Sequence, residues 1–579
     1  MLVGASRLQV VSLLCIVFAA CGSSTASHRD GGASDASDVS RASPTSDASR
    51  ASDASHASDA SHGSDAPHVF DASVDSRGLG GSSGTTLASV LTYHNDNART
   101  GLNANEIVLA PTTVNAGVFG KKFAQPVDNY VYAQPLFVPA LTIGGQSHDV
   151  VFVVTESNSV YAFDANASGP VLWHTNVGAS LSCSDLNDCI DLVPGAGITG
   201  TPVIDPGTRT MYLVSIVKSS TGTHHFLHAV DLTTGAEKLG GPVEISPTAP
   251  GTGANSQNGT VMFAPATHYQ RCALLLAGGV VYVGFGANAD TDENNHGWIV
   301  GHKAGDLSPT MTFCASPNDR WVSFWQAGGG LSADASGFVY AETANGIFDA
   351  NSGGRNFGDS ALKLDASGNV VDYFTPYNQD TLNNLDVDFG SANPVVLPDQ
   401  TGPVAHELLA TGKPGVLYLI NRDNMGHFHT GSDGQIVQSV AAFPNSDVLG
   451  GIFSSPAYWN GHVYVTGIGG SVQAFSLSGG KLSTSPTSQT SAHFSFPGAT
   501  LSVSSNGSTA GILWALDGKA GVLYAFDATN LATELYDTAQ AAGGRDRPGP
   551  PVKFAVPTVV NGHVYVGTQT ELDVYGRLP

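Results

Sequence analysis

The stretch VYAFDANASGPVLW, Val160 to Trp173, decides the fold. It begins as an apolar, strand-like run, passes through Asp164 into a small polar turn with Gly169, and closes on Trp173. A short Asp side chain can hydrogen-bond turn backbone, and glycine permits unusual backbone dihedral angles. We therefore expect Asp164 and Gly169 to shape a turn, and Trp173 on an outer strand to pack against a neighbouring sheet.

The same pattern returns about eight times along the chain, at spacings of roughly 30 to 60 residues. Further copies are LHAVDLTTGAEKL from Leu227, WIVGHKAGDL from Trp298, ALKLDASGNVVDY from Ala361, LYLINRDNMGHF from Leu417, VQAFSLSGGKL from Val472, LYAFDATNLATELY from Leu523 and a truncated ELDVYG from Glu571. Most copies follow a second β-rich run such as VVFVVTE or GHVYVTG. Each unit thus supplies three or four short strands with turns between them.

One small sheet cannot bury both of its faces, whereas sheets packed side by side around an axis can, provided that the ring closes. The repeats therefore predict an all-β fold, an eight-bladed β-propeller of four-stranded antiparallel sheets. A seven-bladed ring and a parallel β-solenoid are the alternatives. The last unit ends after three strands, and Gly120–Val127 is an unpaired strand candidate. We predict that this N-terminal strand completes the last blade.

The N-terminus has the pattern of a targeting segment. Arg7 precedes an apolar run, residues 8–20, that is too short for a comfortable membrane span and ends in two alanines before Cys21. This pattern resembles a bacterial lipoprotein signal, in which Cys21 would be acylated; an ordinary secretory signal is the alternative. Gly22 after the cysteine is not an inner-membrane retention signal, which favours the outer membrane. Residues 1–21 are thus interpreted as a lipoprotein signal peptide with its lipidated cysteine.

Composition divides the rest of the chain in two. Residues 22–86 are almost entirely Ser, Asp, Ala, Gly and His, with too few large apolar residues to offset the entropy of ordering, and predict a disordered tether. Residues 87–579 carry the repeats and predict the propeller. The chain has 12% charged residues and a net charge of −24, without a basic patch, which argues against a nucleic-acid partner.

Four cysteines remain beyond the signal segment: Cys183, Cys189, Cys272 and Cys314. An even number in an exported domain predicts disulfides. Pairing of Cys183 with Cys189 and of Cys272 with Cys314 is the simplest of three connectivities. No CxxCH motif is present, so no covalent haem is expected.

The combination of Ala162, Asp164, Gly169 and Trp173 resembles the tryptophan-docking motif of quinoprotein alcohol dehydrogenase-like propellers. Ala229, Asp231 and Gly235 repeat it without the tryptophan. The resemblance covers residues 87–579 and extends to the secreted proteins with pyrroloquinoline-quinone-like repeats. It implies a propeller fold and, in the enzymes of the family, a quinone and a calcium ion near the ring axis.

The resemblance also implies a site. Trp325 would be the floor beneath pyrroloquinoline quinone, Asn345 a calcium ligand, and Lys413 the basic residue that contacts the quinone oxygens. Asp386 would bind calcium and act as the general base, with Asp388 as the fallback. Each of these residues also has a structural interpretation, as core packing, as part of a turn or as a solvated surface residue.

This sequence departs from the family where a glutamate would bind calcium. The expected position holds Asn288 or Asp290, so calcium would need another ligand from Asp290, Asp292 or Glu293. The adjacent cysteine pair of the family enzymes is absent as well. Both departures weaken the expectation of a complete quinone centre.

Two functional hypotheses follow. The first is a membrane-tethered protein of the bacterial cell envelope that binds a protein or small molecule on the propeller face, because a fold does not by itself imply chemistry. The second is a dehydrogenase of alcohols or sugars that depends on pyrroloquinoline quinone and calcium.

Overall fold

The described residues form sheets built on four antiparallel strands. The strands of a sheet follow one another along the chain, except in the fifth sheet, where the strand His427–Phe428 intervenes, and in the last sheet. Eight such sheets occur, and we name them blades 1 to 8 in chain order. The strands of blades 1 to 4 are Leu136–Ile143, Gln146–Val154, Ser159–Asp164 and Trp173–Asn176; Val203–Asp205, Thr210–Ser219, Gly222–Asp231 and Val243–Glu244; Leu275–Ala277, Val280–Ala287, Trp298–Lys303 and Pro309–Cys314; and Ser332–Ala333, Val339–Glu342, Ala361–Leu364 and Val370–Thr375. Those of blades 5 to 8 are Val395–Val396, Glu407–Thr411, Val416–Asn421 and Gln438–Ala441; Ala457–Trp459, His462–Thr466, Val472–Ser478 and the short pieces Lys481–Leu482 and Ser488–Gln489; Ala499–Asn506, Thr509–Asp517, Leu523–Asp527 and Glu534–Asp537; and Thr558–Val560, His563–Gly567, Glu571–Arg577 and Phe119–Pro126.

The computed structural model describes residues 87–186, 189, 192–287, 293–444 and 451–579. The predicted signal segment with Cys21 and the predicted tether therefore lie outside the described residues. The α-helix Gln379–Leu385 is a short element in the loop between blades 4 and 5. Within the ranges given above, no helix combines the length and apolar character that a membrane span requires.

The propeller is closed by its N-terminal strand, as predicted. Phe119–Pro126 pairs antiparallel with Glu571–Arg577, from Phe119 opposite Arg577 to Pro126 opposite Glu571. The final blade therefore receives its fourth strand from the opposite end of the propeller domain. Such pairing fastens the last repeat to the N-terminal part of the domain and so closes the ring.

Alternating side chains hold each blade between its two neighbours. In the second strand of blade 2, Met211 and Leu213 pack in the apolar cluster shared with blade 1. Tyr212 and Val214 pack in the cluster shared with blade 3. Successive residues of a strand point to opposite faces, so one apolar run fills two interfaces. Similar clusters join every following pair, and Tyr565 of blade 8 lies in the cluster of blade 1.

The opening stretch makes the blade-to-blade contact that the sequence predicts. Trp173 Nε1 donates to the carbonyl oxygen of Leu232 in blade 2 at 2.9 Å. The Trp173 ring packs on Gly235, where an added Cβ would lie 2.7 Å from the ring, at a φ of +71°. The Asp164 carboxylate accepts the backbone N–H of Asn166 at 2.9 Å, as expected for a turn.

The role predicted for Gly169 is wrong. Its φ is not in the left-handed region, and a Cβ built on it meets no atom within 4 Å. The turn from Asp164 to Gly169 is one residue longer than the turn from Asp231 to Gly235, and the longer turn needs no left-handed glycine at that position. The glycine required by the contact is therefore Gly235 of the neighbouring blade.

The cysteines follow the predicted pairing only in part. Cys183 and Cys189 form a disulfide with a Cα–Cα distance of 5.2 Å. Cys272 and Cys314 are free and buried, so the predicted disulfide between them is wrong. Cys272 precedes the first strand of blade 3, whereas Cys314 ends the fourth. Strands lie about 4.8 Å apart, which places the two thiols well beyond the roughly 7 Å Cα limit for a disulfide.

Residues 88–106, which we call the channel segment, run through the centre of the ring. This segment hydrogen-bonds the first strand of every blade. In order from blade 1 to blade 8, the contacts are Val90 with Phe137, Leu91 with Ile204, Asn97 with Leu276, Asn97 with Ala333, Ala98 with Val396, Thr100 with Tyr458, Gly101 with Val503 and Asn103 with Val559. The segment therefore pairs the innermost edges of all the blades, and it fills the channel.

The channel segment enters and leaves at the same face. Ala88 is hydrogen-bonded to Asn561, in the turn between the first and second strands of blade 8. Tyr93 reaches the opposite face, where its hydroxyl lies 2.8 Å from Ser455 Oγ in the loop between blades 5 and 6. Glu106 returns to accept the backbone N–H of Gly562 at 3.0 Å. We call the two ends the turn face and the loop face, respectively.

A buried arginine holds the hairpin of the channel segment. Arg99 is 0% exposed and donates to the carbonyl oxygens of Leu331 at 2.9 Å, Tyr93 at 2.8 Å and Leu274 at 3.0 Å. Burial lowers the pKa of Arg99 to about 10, and the neighbouring Asp96 raises it. Because a lost donor would leave these buried carbonyls unpaired, Arg99 links the segment to blades 3 and 4.

We expect Arg99→Met to lower the free energy of unfolding by about 3 kcal/mol, because it leaves buried acceptors without donors and keeps most of the side-chain volume. Urea unfolding followed by tryptophan fluorescence measures the loss. Arg577→Ala, at an exposed arginine, is the control and should change stability by about 0.5 kcal/mol or less. Equal stability of the two variants would contradict a structural role for the channel segment.

Candidate functional site

The loop face is built from two kinds of segment, the loops between blades and the turns between second and third strands. Both lie at the same ends of the strands because successive strands run antiparallel. Trp325 lies in the loop from blade 3 to blade 4, and Asn345 lies in the turn within blade 4. Asp386 and Asp388 lie in the loop from blade 4 to blade 5, and Lys413 lies in the turn within blade 5.

Four of these residues form one polar group, the acid–lysine cluster of Asn345, Asp386, Asp388 and Lys413. Lys413 Nζ lies 2.7 Å from Asp388 Oδ2 and 3.3 Å from Asp386 Oδ1. The side-chain amide of Asn345 donates to Asp386 Oδ1 at 3.0 Å, and its backbone N–H donates to Asp388 Oδ1 at 3.1 Å. The structure thus brings together residues that are up to 68 positions apart in the sequence (413 minus 345).

The two carboxylates of the cluster differ in their access to solvent. The Asp388 side chain is 4% exposed, whereas that of Asp386 is 61% exposed. Asp386 follows the helix Gln379–Leu385 with a left-handed φ of 57°. The pKa of Asp386 is raised by the protein atoms that partly desolvate it and by the Asp388 charge, and it is lowered by Lys413. Asp386 is therefore the carboxylate that a ligand or substrate can reach.

A third carboxyl group, that of Asp359, lies beneath the cluster. Asp359 is fully buried and accepts hydrogen bonds from the Phe389 backbone at 3.1 Å and from Gln379 Nε2 at 3.2 Å. Burial and the neighbouring Asp388 charge raise its pKa well above the ordinary value. The neutral form of Asp359 is thereby favoured. The Lys413 ammonium therefore forms its salt bridges with Asp386 and Asp388.

Aromatic rings lie beside the cluster at the centre of the loop face. Trp325 packs against Phe453 with ring centroids 5.9 Å apart, next to Ile468 and Phe554. Lys413 Nζ lies 5.8 Å from the centroid of Trp325 and 6.0 Å from that of Phe453. Trp325 thus combines a partly exposed ring with an adjacent cation, as a floor for a flat ligand would require.

The structure adds residues that the sequence analysis missed. The Arg271 guanidinium and Lys553 Nζ each lie 5.7 Å from the centroid of Phe554. Arg271 comes from the loop between blades 2 and 3, and Lys553 and Phe554 come from the loop between blades 7 and 8. No motif surrounds these residues in the sequence. Together with Trp325, Phe453 and Lys413, they form what we call the central site.

Glu156 is a further missed residue on the loop face. It is 0% exposed, in the turn between the second and third strands of blade 1. One carboxylate oxygen accepts the backbone N–H of Gly197, and the other is buried without a hydrogen-bond partner. Burial raises the pKa of Glu156 to about 7, against lowering by Thr199, Gly197 and Arg271. In the sequence, Glu156 could have been noticed as a glutamate that closely follows the buried run VVFVV.

The residues of the acid–lysine cluster do not fit a calcium ion in this arrangement. The Lys413 ammonium lies between the two carboxylates that calcium would need, and Asn345 directs its amide nitrogen to Asp386. Calcium takes six to eight oxygen ligands. Within the described part of the chain, no group of three or more His, Cys, Asp or Glu side chains could hold a metal ion.

Of the alternative calcium ligands Asp290, Asp292 and Glu293, the described residues include Glu293. Asn288, Asp290 and Asp292 lie outside the described residues. Glu293 is 76% exposed and lies 2.9 Å from Arg320 in a salt bridge. The quinone fits better, because Trp325 offers a ring and Arg271 and Lys553 offer positive charge for an anionic aromatic molecule.

The raised pKa of Glu156 predicts a pH dependence of stability. Its carboxyl group ionises near pH 4.5 in the unfolded chain but near pH 7 in the fold, so the free energy of unfolding falls as pH rises between these values. We expect Glu156→Gln to reduce the fall between pH 5 and pH 8 by about 2 to 3 kcal/mol. Urea unfolding at both pH values measures it. Glu293→Gln, at an exposed glutamate, should leave the profile unchanged, and an unchanged profile in Glu156→Gln would contradict the assignment.

Comparison of the sequence with protein-family models and with curated proteins gave no match. Solved structures do match the fold. A europium-containing methanol dehydrogenase superposes with a TM-score of 0.56 at 12% identity, covering 84% of this chain and 98% of that one. Quinohemoprotein alcohol dehydrogenases from Comamonas testosteroni and Pseudomonas putida superpose with TM-scores of 0.53 and 0.52 at 13% and 12% identity, each covering 84% of this chain and 80% of its own.

At such low identity, these likenesses describe the fold and not the chemistry. They agree with the resemblance stated from the docking motif. The chain has the β-propeller fold that is found in quinoprotein alcohol and methanol dehydrogenases.

Proposed function

We propose that this chain is an exported, lipid-anchored propeller of the bacterial cell envelope that binds an anionic ligand with a flat face at the central site. The observation that carries the proposal is the pairing of Arg271 and Lys553 with the ring of Phe554, beside Trp325 and Phe453, whose neighbouring Lys413 is shared with Asp386 and Asp388. Positive charge over ring faces in a protein with a net charge of −24 concentrates attraction for anions at one place.

The channel segment supports a site at the loop face and not inside the ring. Tyr93 at the tip of the segment packs against Ala273 and Val556, which follow Arg271 and Phe554 closely in the chain. The segment therefore closes the channel beneath the central site. A ligand would rest on this floor and remain accessible from the loop face.

Envelope location is part of the proposal and rests on the sequence before residue 87. The lipoprotein-like signal at residues 1–21 would anchor the protein through Cys21, and residues 22–86 would be the spacer. The absence of an inner-membrane retention residue after Cys21 favours the outer membrane.

A quinone-dependent dehydrogenase of alcohols or sugars is the second candidate. It is favoured by the convergence of Trp325 with Asp386, whose carboxylate is exposed and has a raised pKa. Bound pyrroloquinoline quinone would supply the two-electron oxidant. Asp386 would accept the proton of the substrate hydroxyl, and Lys413 and Asn345 would orient the Asp386 carboxylate.

Pyrroloquinoline quinone is the probe that separates these candidates. We expect the full-length protein in detergent to bind it in the presence of EDTA, since the cations of the central site replace a metal. Trp325→Ala should weaken binding at least about tenfold, and Lys553→Ala about fivefold, through lost ring and cation contacts. Calorimetry measures the affinities. Lys303→Ala, at an exposed lysine where the third strand of blade 3 ends on the turn face, is the control.

Turnover distinguishes binding from catalysis. Alcohols and aldoses are tested with the quinone-loaded protein and an artificial electron acceptor, with and without calcium. Turnover that disappears in Asp386→Asn while quinone binding persists would establish the dehydrogenase and displace the binding role. Absence of quinone binding under both conditions, or equal binding by all variants, would contradict the central site itself.

A further inference from the structure

A groove lies at the outer rim of the propeller between blades 4 and 5. One wall is the long connection between the third and fourth strands of blade 5, residues 422–437. The strand His427–Phe428 within this connection pairs in parallel with Val370–Thr375, the outer strand of blade 4. The ring of His427 stacks on Tyr373 at 4.5 Å, which holds the connection in place. The other wall carries the helix Gln379–Leu385.

The groove consists of two adjoining cavities of about 440 and 530 Å³, within the roughly 300–1,000 Å³ range of small-ligand sites. Both cavities are lined by Tyr377, Asp433 and Ser439, so they adjoin at these residues. Apolar side chains, including Leu382 and Val416, line the first cavity. Neither cavity belongs to the central site.

Two acceptor groups of the groove keep unused hydrogen-bonding capacity. Asn378 Oδ1 is buried and has no hydrogen-bond partner. The Asp433 carboxylate accepts one hydrogen bond, from the Tyr377 backbone at 2.8 Å, and keeps further acceptor capacity. No Lys, Arg or His is among the residues that line either cavity. The groove is therefore suited to a ligand that donates several hydrogen bonds and carries no negative charge.

Tyr377 adds an aromatic surface to these acceptors. Its side chain is 47% exposed, among mostly buried aromatic residues. A sugar ring presents an apolar C–H face to an aromatic ring and directs hydroxyl donors outward from its edge. The exposed ring of Tyr377 matches the apolar face of a sugar. The unpaired amide oxygen and the carboxylate match its hydroxyl donors, and the elongated space suits a chain of sugars.

We propose that this groove binds a neutral oligosaccharide, with one sugar ring stacked on Tyr377 and its hydroxyl groups donating to Asn378 and Asp433. The saccharide site is independent of the central site and of the proposed function. An organic cation would be attracted by the same carboxylate and ring, and it is the alternative that the binding test separates from a sugar.

Binding is tested on the full-length protein in detergent with maltotriose, cellotriose and the trimer of N-acetylglucosamine, by saturation-transfer NMR and calorimetry. We expect at least one trisaccharide to bind. Tyr377→Ala should weaken that binding at least about fivefold, while Tyr377→Phe retains it, because the ring and not the hydroxyl makes the contact. Asp433→Asn should weaken binding by a similar factor through the loss of a charged acceptor.

A blocking variant keeps the proposal testable if Asp433→Asn does not fold. Ser439 is exposed and lines both cavities, so Ser439→Trp should fill the groove and abolish binding without disturbing the core. Phe496→Ala is the matched control, since Phe496 is also 47% exposed but lies outside the groove. No binding of any trisaccharide at 10 mM, on the order of the weakest useful affinity, would overturn the proposal. Binding of spermidine with the same sensitivity to Tyr377→Ala, in place of the sugars, would also overturn it.

Discussion

The innermost strand edges impose the constraint on which the rest of this structure depends. In a closed ring of sheets, the first strand of each blade presents unpaired backbone groups to the axis, and buried groups of this kind must find partners. The channel segment supplies them, with a hydrogen bond to the first strand of every blade. The N-terminal part of the domain therefore seals the ring twice, once at its centre and once in the last blade.

Filling the channel also decides where ligands can bind. With the axis occupied, the accessible concave surfaces of the propeller are at the faces and at the outer rim. Inter-blade loops, together with the turn of blade 5 that carries Lys413, bring positive charges and aromatic rings to the centre of the loop face. The connection between the third and fourth strands of blade 5 forms a groove at the rim whose lining residues include no Lys, Arg or His. These two surfaces differ in charge, so they suit ligands of different chemistry.

Charge also distinguishes the acid–lysine cluster from a metal site. Lys413 lies within salt-bridge distance of Asp386 and Asp388, so the cluster already holds a cation. A metal would have to compete with that ammonium for the same oxygens. The residues selected from the resemblance lie close together, and their mutual contacts differ from those of a calcium site.

The sequence by itself determined the strand repeats, the closing strand and the role of Trp173, because alternation of apolar residues and turn chemistry are local properties. It also indicated Trp325, Asn345, Asp386 and Lys413, through short stretches of sequence that resemble a known family. The predicted disulfide between Cys272 and Cys314 is wrong because a local pattern does not show that the two cysteines lie at opposite edges of one blade.

Only the tertiary structure revealed the channel segment and the remaining central-site residues. The segment has no strand pattern of its own, because its partners are backbone atoms of strands distributed over the whole ring. Arg271 and Phe554 are 283 residues apart (554 minus 271), yet the loops that carry them meet at the axis. Because the blades pack in a ring, residues far apart in the chain come into contact at the axis. A local sequence pattern does not reveal such contacts.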